Sequence, residues 1–161
     1  MRKFLSLLLS VTLSASLFAA EYPKLGEDIY DPKADANVLI AGALSAAKES
    51  HKNVLLMFGA NWCIWCHRLH HTLAADTEVA AALAKDFILV MVDVNTRNGT
   101  KRNAGVNERY GNPMQHGLPV LVVLDPTGRQ LTTQETGSLE EGGGHSPAKV
   151  LAFLREWAPK R

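Results

Sequence analysis

The residues best equipped for chemistry are two cysteines three positions apart, Cys63 and Cys66, the only two in a chain of 161 residues. A disulfide between them closes too short a loop to constrain the unfolded chain much, so the pair reads as chemical rather than structural. Small exported domains that are stapled by disulfides carry more cysteines at wider spacing. Such a pair can cycle between dithiol and disulfide. His67 follows directly, and Cys63-Ile64-Trp65-Cys66-His67 also fits C-x-x-C-H, the attachment pattern of c-type haem. His70 and His71 lie a turn further on, and sulfur with imidazole suits copper or zinc. On one helix, however, Cys63 and His70 are ~10 Å apart in rise, too far for one ion to reach Cys63, Cys66, His67 and His70 together. His51, His116 and His145 add no further pattern.

The pair must be held by the elements on either side. Residues 53–59, Asn-Val-Leu-Leu-Met-Phe-Gly, form a near-continuous apolar run of strand length, suited to burial on both faces. Residues 63–75 read as a helix. A cysteine at a helix N-terminus meets unpaired backbone N–H groups, whose partial positive charge favours thiolate, the nucleophilic form. Cys66 falls on the same face one turn deeper. It is placed to attack a mixed disulfide formed at Cys63 and release the reduced partner.

The remaining pattern supplies a frame. Asp35 can cap a helix over 37–50. Asp76 or Thr77 opens a further helical stretch through Ala84, and 87–94 is a second buried strand. Residues 95–116 are polar and rich in Asn and Gly, with one helical stretch over 103–110. Residues 120–124 form a third strand, Asp125-Pro126-Thr127-Gly128 a turn, and 129–133 a returning strand. Gly142-Gly143-Gly144 reads as a flexible loop. Ser146 caps a last helix with Pro147 at its first position. A β-α-β unit implies parallel pairing, and the closing hairpin adds an antiparallel edge. The fold class is α/β, a mixed central sheet with helices on both faces.

The chain resembles the thioredoxin superfamily over about residues 38–157. The likeness rests on the strand 54–58, on Trp62-Cys63-Ile64-Trp65-Cys66, on Val92-Asp93-Val94 at a strand end, and on Gly117-Leu118-Pro119-Val120. It implies a thioredoxin fold for residues 36–161 and thiol–disulfide oxidoreductase activity, with Cys63 and Cys66 catalytic and no cofactor or metal. It also implies that Leu118-Pro119 is a cis pair beside the cysteines and that Leu118 offers its backbone to a substrate peptide. Trp62 and Trp65 join Leu118 and Pro119 as substrate contacts, with Trp65 exposed between the cysteines. In two places the chain departs from thioredoxin: Ile64-Trp65 replaces Gly-Pro, and Met57 stands where thioredoxin keeps a buried acid, with no acid near it in sequence. Thioredoxin-like reductases are closer in motif than oxidases, which commonly have histidine between the cysteines, so the reductase direction is favoured.

Residues 1–20 set the compartment. Arg2 and Lys3 precede an apolar run broken only by Ser and Thr, and Ala19-Ala20 follow, the layout of a secretory signal peptide. The run is shorter than the ~20 residues of a spanning helix, which argues for cleavage over a retained anchor. Residues 21–35 read as an extended lead-in punctuated by Pro23, Gly26 and Pro32. The chain has 17 basic and 16 acidic residues, and loss of the leader removes two of the basic ones. No basic stripe is left for nucleic acid or for electrostatic membrane binding. The expected setting is periplasmic or otherwise exported, with no stable membrane insertion after cleavage. The expected partners are exported protein thiols and disulfides. An oxidising compartment also calls for a membrane electron donor.

Overall fold

The computed structural model describes residues 25–160, so the leader and the first part of the lead-in lie outside the described residues. Helix α1 (Ala36–Ser50) leads into strand β1 (Asn53–Gly59), helices α2 (Ile64–Ala75) and α3 (Thr77–Asp86), and strand β2 (Phe87–Asp93). Helix α4 (Ala104–Arg109), strands β3 (Val120–Leu124) and β4 (Gln130–Glu135), the short strands β5 (Glu140–Glu141) and β6 (Gly144–His145), and helix α5 (Pro147–Glu156) follow.

The main sheet has the order β2-β1-β3-β4. β1 pairs in parallel with β2, Gly59 opposite Asp93, and antiparallel with β3. β4 pairs antiparallel with β3 as the edge. The expected mixed sheet is therefore present, with β1 at its centre and buried at every residue. Alternation along β1 divides the core in two. Val54, Leu56 and Phe58 face α1 through Ile40, Ala43 and Ala47. Leu55 and Met57 face the other way, onto a cluster built with α2, α3 and α5 that contains both cysteines.

Local signals fix the helix ends. Asp35 caps α1 by accepting the Asn37 N–H at 2.8 Å. Asp76 ends α2 and starts α3, accepting the N–H groups of Glu78 and Val79 at 3.1 and 3.0 Å. Ser146 occupies the N-cap position of α5, but its side chain makes no capping bond. The glycine stretch 142–144 corrects the sequence expectation. Gly142, at φ 59°, turns a tight hairpin that pairs Glu140 with His145. A run of glycines signals freedom to turn, and here the flanking backbone uses that freedom to close a ladder.

Candidate active site

Cys63 and Cys66 are joined as a disulfide where β1 hands over to α2. Cys63 is the N-cap residue of α2, a place usually held by Ser, Thr, Asp or Asn. Its sulfur fills their role by accepting the Cys66 N–H at 3.1 Å. The helix end that stabilises this sulfur as an acceptor stabilises it further as a thiolate. Cys63 keeps 6% of its surface exposed and Cys66 none. The outer sulfur is thus the one that a partner can reach, and the inner one is sealed beneath it.

Trp62, Trp65 and Leu118 are half-buried and pack against the cluster that holds both cysteines. Leu118-Pro119 is cis, as the resemblance implied. Pro119 is buried at the entry to β3, and its carbonyl accepts the Thr136 hydroxyl at 2.7 Å. Trp62 donates its indole N–H to Asn95 Oδ1 at 2.8 Å, and the Arg97 guanidinium lies 3.9 Å from its ring centroid. The polar stretch after β2, which had no assigned role, therefore orients Trp62. Trp65 is half-buried, not exposed as the sequence suggested. Its ring meets His145 edge-on at 5.8 Å between centroids, and the Arg68 guanidinium stacks on it at 4.4 Å. His145 comes from the glycine hairpin, so that hairpin is part of the site.

The site also contains residues that the sequence did not single out. Asn61, two positions before Cys63, clamps the lead-in. Its Oδ1 accepts the N–H groups of Ile29 and Tyr30 at 3.0 and 2.8 Å, and its Nδ2 donates to the Tyr30 carbonyl at 2.8 Å. Tyr30 is thereby carried into the cysteine cluster and buried. Asp93 is buried at the end of β2, 3.5 Å from Arg102. Burial pushes its carboxyl pKa up, against the pull of the Asn95 N–H and Arg102, while the charge of Asp28 adds to the rise. Met57 is buried on the cysteine face. The sequence left no acid near it, but the sheet brings Asp93 close enough for its charge to act on Tyr30.

His67 is committed elsewhere. Its Nε2 lies 2.9 Å from the Asn61 carbonyl oxygen, so that nitrogen carries a proton and donates it to the carbonyl. The ring nitrogen that C-x-x-C-H offers to a haem iron is thus engaged with the backbone. A groove of about 960 Å³ runs along α2, lined in part by His67, His70, His71 and His145. Burial lowers the His70 pKa, as do the charges of His67 and His71. Among the described residues no three His, Cys, Asp or Glu side chains are arranged to hold a metal ion.

Residues 36–126 match a family model described as thioredoxin-like. The chain belongs to that thioredoxin-like family. It is 29% identical to the disulfide bond reductase DsbH of Chlamydia pneumoniae over 122 residues, 71% of this chain and 70% of that one. It is 30% identical to the thiol:disulfide interchange protein DsbD of Pseudomonas fluorescens over 123 residues, which are 76% of this chain but only 18% of DsbD. Among solved structures, a disulphide isomerase from Xylella fastidiosa superposes with a TM-score of 0.70 at 35% identity, covering 80% of this chain and 95% of that one. A cysteine pair of this geometry within this family makes the chain a thiol–disulfide oxidoreductase of the periplasmic, exported kind, acting on the thiols of exported proteins. Among the described residues no helix is long and apolar enough to cross a membrane.

Proposed function

We propose that this thioredoxin-like protein reduces disulfides of exported proteins, with Cys63 as the attacking thiol and Cys66 as the resolving one. The observation that carries the assignment is the unequal setting of the two sulfurs. Cys63 sits at the helix N-terminus with a backbone N–H on its sulfur, and Cys66 lies sealed below it. The Cys63 thiolate attacks a substrate sulfur, and the substrate's other sulfur leaves with the electron pair and takes up a proton. Cys66 then loses its proton and attacks Cys63. The internal disulfide closes and the second substrate thiol departs. Trp62, Trp65, Leu118 and Pro119 form the rim on which the substrate peptide lies, with Leu118 offering backbone groups to an extended strand.

The reductase direction is supported by the likeness to a disulfide bond reductase. It also fits the absence of a charged or imidazole side chain between the cysteines, where Ile64 and Trp65 stand. In an oxidising compartment the electrons must come from a membrane donor, and residues 1–20 provide the signal for export.

Role and direction are tested separately. Cys63→Ser abolishes reduction of a model disulfide, and Cys66→Ser accumulates mixed disulfides on Cys63. Trapping through Cys66 instead would reverse the roles. Equilibration with glutathione should place the pair nearer the roughly −270 mV of thioredoxin than the roughly −120 mV of a strong periplasmic oxidant. A value near the latter would overturn the reductase direction.

A further inference from the structure

One buried polar group has no task in this scheme. The Tyr30 side chain is 1% exposed, and among the described residues its hydroxyl has no hydrogen-bond partner in the disulfide form. Gly59 shows what that hydroxyl faces. A Cβ built on Gly59 would overlap the Tyr30 hydroxyl and lie 2.6 Å from Cys66 Sγ. The phenol and the inner sulfur therefore share one small space, which stays open because residue 59 has no side chain. Asn61 holds the Tyr30 backbone from both sides and keeps the ring in register with the pair.

We propose that the Tyr30 hydroxyl is the hydrogen-bond donor that the Cys66 sulfur acquires when the disulfide opens. The proposal rests on the exchange chemistry described above and gives Cys66 a partner in the position near which thioredoxin keeps an acid. A disulfide sulfur is a poor acceptor and a thiolate a strong one, so the bond strengthens as Cys66 ionises. In the resolving step Cys66 gives its proton to solvent and its electron pair to a new bond with Cys63. The bond between Cys63 and the substrate sulfur breaks, and that sulfur takes a proton from water. Tyr30 keeps its own proton throughout. Burial and the charge of Asp93 push its pKa far above that of an ordinary phenol, so it remains a donor.

The charged and titratable groups around this space come from three elements. The lead-in brings Asp28 and Tyr30, β2 brings Asp93 with Arg102 paired to it, and α2 brings His67, tied to the Asn61 carbonyl. From β1 come only Met57 and Gly59, which carry no charge.

The test uses the full mature chain with Cys63→Ala, which leaves Cys66 as its single thiol, with and without Tyr30→Phe. The rate of Cys66 alkylation from pH 5 to 10, corrected for access by the plateau rate, gives its pKa. Loss of a hydrogen bond to a charged group raises the thiolate's proton affinity about tenfold, or about one pKa unit. In the two-cysteine protein Tyr30→Phe makes the pair harder to reduce at pH values where reduced Cys66 is ionised, by up to tenfold against glutathione, or about 30 mV, and the difference closes as the pH falls. An unchanged Cys66 pKa overturns the proposal. Should the phenylalanine variant fail to fold, the wild-type chain with its three tyrosines isotopically labelled decides by NMR. On reduction the Tyr30 hydroxyl proton should move downfield and exchange more slowly, and an unmoved signal overturns the proposal. Neither titration nor NMR uses a substrate, so failure here is distinct from failure of the exchange assay that tests the function.

Discussion

The two tryptophans that flank Cys63 sit against walls of different character. Trp62 is held by directional bonds. Its indole donates to Asn95, Arg97 covers its ring, and the adjacent Asn61 fastens the lead-in with three further hydrogen bonds. Trp65 is held by ring contacts, with Arg68 on its face and the edge of His145 beside it. Among the described residues neither ring nitrogen of that buried histidine has a hydrogen-bond partner. Hydrogen-bonded geometry fixes a position and keeps it, whereas stacking tolerates sliding. The Trp62 side is therefore the fixed reference of the site, and on the substrate rim proposed above the Trp65 side is the part that would adjust to different peptides.

Removing the clamp should break this contrast most severely. Asn61→Ala leaves two backbone N–H groups and one carbonyl of the lead-in without their partner and frees Tyr30 from the cluster. A loss of about 2–3 kcal/mol is expected, read as a lower denaturation midpoint, together with faster exchange of the Ile29 and Tyr30 amides. If stability changes by only a few tenths, the lead-in is not part of the folded site. A smaller effect follows from Asn95→Leu, which unties Trp62 but leaves its ring on the cluster. About 1 kcal/mol of stability and a several-fold rise in KM for a peptide disulfide are expected, with kcat little changed. A fall in kcat at constant KM would mean that Trp62 acts on the chemistry rather than on placement.

The smallest effect sharpens the other side of the comparison and depends on pH. Burial keeps the His145 pKa below its ordinary value, and the charge of Arg68 adds to that. In the unfolded chain the imidazole takes a proton near pH 6.5, while in the folded chain it stays neutral to a lower pH. The unfolded state then binds more protons, so stability falls as the pH drops below about 6.5. His145→Leu should flatten part of that loss, visible as a smaller gap between denaturation midpoints at pH 5.5 and 7.5. His70 shifts in the same direction and keeps the remainder. An identical gap in the variant would mean that water reaches His145.

What could be read from the sequence was what repeats locally. Strands β1 and β3 follow their apolar runs because burial on both faces selects apolar residues, and the one polar residue, Asn53 at the head of β1, is buried with its amide donating to the Trp157 carbonyl. Asp35 and Asp76 were legible as caps because each acts within three residues of itself. The thiol pair, its tryptophans and the cis Leu118-Pro119 were legible through the family motif. The contacts of Asn61 to Tyr30, Trp62 to Asn95 and Trp65 to His145 were not, since each spans more than thirty residues and leaves no periodic trace. Tyr30 was hidden further by its setting, a stretch with proline and glycine that reads as a connector. Asp93 was visible in Val92-Asp93-Val94, but only the pairing of β2 with β1 reveals that it ends opposite Gly59.

The clamp made by Asn61 has one more consequence. The match to the family begins at residue 36, and Tyr30 lies upstream of it. A chain trimmed at residue 36 would retain both thiols and every strand, yet it would lose the phenol that shares the space beside its inner sulfur. The lead-in is thus a part of the cysteine-side core supplied from outside the shared region, held by Asn61 and by Arg102 at the Ala34 carbonyl, and on the proposal above it is where the properties of the buried thiol would be tuned.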